Sequence, residues 1–111
     1  MPNIKFNYLY RDAGNHKNYN SLVFANPNNV DIQHLETLIK SKLIEGNWFF
    51  ANEWKLPDLH FKCWDPEIDH AWHEFESVEY TDELQNVPLS LTELITDIEK
   101  THWYNQKKLL K

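Results

Sequence analysis

His70, His73 and Glu74 fall together in the short run "HAWHE". Two imidazoles and a carboxylate are adequate ligands for zinc or iron with an open position. On a helix, His70 and Glu74 would share a face at i and i+4, and His60 could join them from the neighbouring segment. The order differs from the zinc-protease helix, which needs histidines at i and i+4 with Glu directly after the first. The chain holds six histidines, so a chance cluster is easy, and the plainer reading of His70 and His73 is surface or hydrogen-bonded histidine. Cys63 with His60 offers a nucleophile and a base, but a cysteine flanked by Phe61 and Trp64 reads better as a small core residue. Carboxylate pairs abound, and nothing sets one apart as a proton donor. With only Gly14 and Gly46 in the chain, there is no glycine-rich loop to cradle phosphate.

The same residues belong to a longer acidic stretch, "WDPEIDHAWHEFESVEY" (Trp64 to Tyr80), with six carboxylates and no lysine or arginine. From Cys63 to Glu99 the chain carries eleven acidic residues and no Lys or Arg, while the rest holds six acids and eleven bases. A charge of −11 in one part and +5 in the remainder gives the net −6. Such a field disfavours phosphate polymers and favours basic partners. The plain alternative is a solvated acidic surface that keeps the protein soluble. The aromatic residues suit base stacking, but the basic groove that would track a nucleic acid is missing, apart from Lys5, Arg11 and Lys17 near the N-terminus. Direct DNA or RNA binding is not expected.

Composition bounds the rest. A length of 111 residues points to one domain spanning 1–111. An aromatic share of 14% is too high for a disordered chain. The single cysteine excludes a disulfide framework and multi-cysteine zinc sites. A lone thiol suits a reducing compartment. No apolar run approaches the ~18 residues of a membrane span, and "MPNIKFNYLYRD" lacks a signal peptide's apolar centre. The expectation is a cytoplasmic protein without a membrane partner and without a cofactor.

The elements that must position these residues read as follows. "IKFNYLYR" alternates Ile4, Phe6, Tyr8 and Tyr10 against Lys5, Asn7, Leu9 and Arg11, a strand pattern. "DAGNHKN" supplies turn formers, and "YNSLVFA" resumes strand chemistry, giving a hairpin. Twelve asparagines can serve turns that glycine usually serves. Asp31 is placed as a helix N-cap, with Val30 and Leu35 as a hydrophobic staple. Ile32, Leu35, Leu38, Ile39 and Leu43 then predict a helix over about residues 32–45, with Gly46 as its left-handed cap. Trp48, Phe49 and Phe50 form a short apolar run that suits a buried strand. "DLHFKCW" alternates as a further strand candidate. Asp65 and Pro66 suit a helical turn, followed by a strand from about Trp72 to Tyr80, although Phe75 breaks its alternation. "SLTE" is a capping box, opening a helix on Leu91, Leu94, Ile95 and Ile98 that His102 extends to about Gln106. Lysines of the tail "KKLLK" suit its C-terminal dipole.

Three stretches, "YLYRDAGNHKNYNSLVFANPNN", "LPDLHF" and "DHAWHEFESVE", resemble segments of a family of small bacterial proteins of the Bacteroidetes type. The resemblance covers about residues 4–80 and brings no activity or catalytic residue with it. Against it, the capped helix at about residues 90–106 reads as an addition that the shorter relatives lack.

The fold these signals predict is α+β: one domain in the order ββ-α-ββ-α, an antiparallel sheet with both helices on one face. The function they predict is a small, acidic, non-enzymatic binding protein that docks a basic site on another protein. Immunity proteins, antitoxins and inhibitors of nucleic-acid-handling defence enzymes (anti-CRISPR-type inhibitors among them) work this way, with carboxylates standing in for phosphates and aromatics as anchors. Asp69, Trp72, Glu74, Glu76 and Glu79 are the candidate binding residues. The alternative is a small metal-dependent enzyme using His70, His73 and Glu74.

Overall fold

The alternating N-terminal run forms strand β1 (Asn3–Arg11), which turns Ile4, Phe6, Tyr8 and Tyr10 into the core. In the computed structural model, which describes residues 2–65 and 67–101, β1 is central. It pairs antiparallel with β2 (Lys17–Phe24) on one side and β4 (His73–Thr81) on the other. A two-residue strand, β3 (Trp48–Phe49), completes the order β2-β1-β4-β3. Asn15 makes the β1–β2 turn with φ 66°, the left-handed geometry that asparagine tolerates. Asp12 Oδ1 accepts the His16 N–H there at 2.8 Å.

Helix α1 (Ile32–Ser41) starts as predicted, with the Asp31 carboxylate accepting the His34 N–H at 3.1 Å. The Tyr80 hydroxyl accepts the Ile32 N–H at 2.9 Å, tying the helix start to β4. α1 stops at Ser41, short of the predicted Glu45. The buried Ile44 instead bridges Trp48 in a tight turn, with Glu45 and Gly46 at φ 54° and 75°. A 3-10 turn (Ala51–Trp54) then buries Trp54, which stacks on Phe49 at 4.5 Å and donates its indole N–H to Thr101 Oγ1 at 2.7 Å. Helix α2 (Leu91–Glu99) begins where the capping box places it, Ser90 Oγ accepting the Glu93 N–H. The predicted extension through His102 to Gln106 and the basic tail lie outside the described residues, as does Pro66. Leu35 and Ile39 of α1, and Leu91, Leu94 and Ile98 of α2, join Ile4, Phe6 and Tyr8 in one hydrophobic core. The molecule is therefore α+β, with helices against one face of an antiparallel sheet.

Two sequence expectations need correction. The alternation of "DLHFKCW" does not make a strand: residues 55–64 are irregular. Asp58 Oδ1 accepts the His60 N–H at 2.9 Å, a local bond that diverts the backbone from a ladder. Side chains of the hairpin hold the segment instead. The Tyr8 hydroxyl donates to the Pro57 carbonyl at 2.7 Å, and Asn18 Nδ2 to the Leu59 carbonyl at 3.1 Å. In β4, the imperfect alternation has a physical cause. The register runs Asn7↔Ser77 and then Tyr8↔Phe75, leaving Glu76 as a bulge. Phe75 and His73 thereby face the core with Val78, and Trp72 does not.

Candidate functional site

The bulge decides what β4 presents to solvent. On the sheet face away from the helices it lays Glu74 ahead of the bulge and Ser77 and Glu79 beyond it. Asn7 Nδ2 reaches both Ser77 Oγ (3.1 Å) and Glu79 Oε2 (2.8 Å), which fixes their common face. Trp48 lies opposite Glu74 in the ladder and holds its ring 5.6 Å from Trp72. Glu76 stands exposed at the bulge itself. Of the five predicted binding residues, four thus cluster along β4. Asp69 stands apart: its oxygens accept the N–H groups of Ala13 and Asp65, each at 2.9 Å, stapling the hairpin tip. Those two bonds, Ala13 first, hold its pKa below the ordinary carboxylate value.

Part of the acidity is answered within the fold. Arg11 grips Glu74 with two nitrogens, at 2.7 and 3.3 Å, and Lys5 pairs with Glu83 at 2.6 Å. Lys17 is exposed at the start of β2. Two of the three bases singled out near the N-terminus are therefore paired with neighbouring carboxylates.

The predicted trio His70, His73 and Glu74 is not brought together. Glu74 faces away from the core, while His73 faces into it and is only 2% exposed. His70 stacks on Trp72 at 4.2 Å and its Nδ1 donates to the Trp72 carbonyl at 3.0 Å. Its carbonyl accepts both the Tyr10 hydroxyl and the Trp64 indole N–H. Burial pushes its pKa down.

His73 meets different partners. Asp58, His60 and His73 place one ligand atom each within 4.8 Å of one another. Asp58 Oδ1 lies 3.1 Å from His60 Nδ1 and 3.5 Å from His73 Nε2. The Leu59 N–H donates to His73 Nε2 at 2.9 Å, so that nitrogen carries no proton and the other, Nδ1, does. His60 Nε2 donates to the Ala71 carbonyl at 3.2 Å. Nδ1 of His73 is buried and has no hydrogen-bond partner among the described residues. Trp64 stacks on His60 at 4.7 Å and Tyr10 meets it edge-on at 4.5 Å. Burial first, and then the neighbouring His60, push the His73 pKa down to about 4.

Sequence reasoning singled out both histidines and missed Asp58, whose only signal was its place two residues before His60 in "LPDLH". Cys63 is exposed and free, not a core residue. Among the described residues, no helix is long and apolar enough to cross a membrane. No protein-family model, no curated protein and no solved structure matches this chain.

Proposed function

We propose that this chain is a non-enzymatic binding protein that docks a basic site on a partner protein through the outer face of β4. The observation that carries this reading is the union along β4 of a Trp48–Trp72 pair with Glu74, Glu79 and the bulged Glu76. Aromatic side chains supply apolar area at low entropy cost, and carboxylates around them steer and orient a cationic partner. A basic nucleic-acid-handling enzyme fits this chemistry, its phosphate-binding groups meeting carboxylates. Arg11 holds Glu74 in place, so Glu76 and Glu79 are the charges most available to a partner.

The test begins with capture from a bacterial lysate on the immobilised chain, read by mass spectrometry. The recovered protein is then titrated with wild type and with Glu76→Gln/Glu79→Gln at two salt concentrations. The double variant should bind more weakly, mainly through slower association, and lose part of the salt dependence. Trp72→Ala should raise the dissociation rate. Equal affinities and equal salt slopes would sink the reading.

A further inference from the structure

We propose that Asp58, His60 and His73 bind one divalent transition-metal cation of the zinc class, clamping the irregular segment 55–64 onto the sheet. Three features carry this. First, the donor set is two imidazoles and one carboxylate, and their separations approach a coordination shell. Ligand arms of ~2.1 Å in a tetrahedral site put ligand atoms ~3.4 Å apart. Asp58 Oδ1 sits 3.1 and 3.5 Å from the two histidine nitrogens.

Second, the outer contact of His60 is one that a metal-bound histidine needs. Each imidazole turns one nitrogen to Asp58, and the other nitrogen of His60 donates to the Ala71 carbonyl. A backbone carbonyl behind a ligating histidine fixes its tautomer and aims the free lone pair at the metal. The Trp64 stack and the Tyr10 edge hold the His60 ring in that orientation.

Third, the cluster is short of positive charge as it stands. His73 Nε2 is an acceptor, because it takes the Leu59 N–H, and it faces a carboxylate oxygen at 3.5 Å. Two acceptors so placed repel unless a cation stands between them. A proton on His60 Nδ1 satisfies Asp58 but leaves His73 Nε2 facing that oxygen. A metal ion at the centre engages all three, with the Leu59 amide displaced. Asp58 is exposed and His60 only half-buried, so the site opens to solvent and keeps room for a water ligand.

The experiment uses untagged protein stripped with a chelator. Zn2+ is titrated calorimetrically, and melting is followed in parallel. Saturable binding near one ion per chain is expected, with a melting temperature that rises with free metal and a binding heat that changes with buffer as protons are released. Asp58→Asn and His60→Gln should each weaken binding by more than about tenfold, while circular dichroism shows both variants folded without metal. His34→Gln, on the exposed side of α1, should leave binding unchanged. Absence of saturable binding, or binding that survives both the Asp58 and the His60 substitution, overturns the proposal.

Discussion

His73 shows what burial does to one titratable side chain. Its folded pKa of about 4 lies below the ordinary 6.5. Between those values the unfolded chain takes up a proton that the folded chain refuses, so stability falls as the solution is acidified. The contribution is fully present above about pH 6.5 and is lost by about pH 4, and it amounts to about 3 kcal/mol. Urea unfolding of the metal-free protein at steps from pH 7.5 to 4 should show this loss, and His73→Gln should flatten the profile across that window. An unchanged profile in the variant would assign the acid sensitivity to other groups. The sequence made His73 visible as a residue with chemistry to offer but could not choose its partners. His70 and Glu74 are its neighbours in the chain. A strand sends neighbours to opposite faces, and the true companions come from a segment that hairpin side chains hold in place.

Elements were legible where a single period runs unbroken. The β1 alternation and the α1 stripe each repeat over several positions, and both caps carry their own residue signature, so those elements stand where the sequence puts them. Length was less legible: α1 ends at Ser41, and the buried Ile44 beyond it bridges Trp48 instead of continuing the helix. β4 was legible as a strand but not in phase, because one bulged residue reverses the faces on either side of it. Ile39 is fully buried beside Leu35 on α1. Ile39→Ala removes core volume that neighbours cannot refill and should cost about 2–5 kcal/mol, read as a lower urea midpoint with an unchanged slope. A midpoint within error of wild type would mean that α1 does not anchor the core.

At the scale of the whole molecule, the acidic middle of the sequence and the bases elsewhere interlock across the fold. β1 brings Lys5 and Arg11 to Glu83 and Glu74, and Lys55 meets Asp97 at 3.8 Å. Helices on one side of the sheet were predictable from the order of periods, whereas this pairing of charges needed the strand register. What the pairing leaves over is a net charge of −6 with exposed carboxylates such as Glu67, Asp82 and Glu99. Glu99 closes α2, where the helix dipole disfavours an anion. Exposed charges contribute little through individual contacts, so their main effect is mutual repulsion, which salt screens over about 10 Å at 0.1 M. Replacing the three together, Glu67→Gln, Asp82→Asn and Glu99→Gln, takes the net charge from −6 to −3. The variant should melt at or above the wild-type temperature in low salt. That advantage should shrink as salt rises, because the repulsion it relieves is then already screened. A variant that melts lower at low salt would show that these carboxylates hold the fold together rather than repel one another.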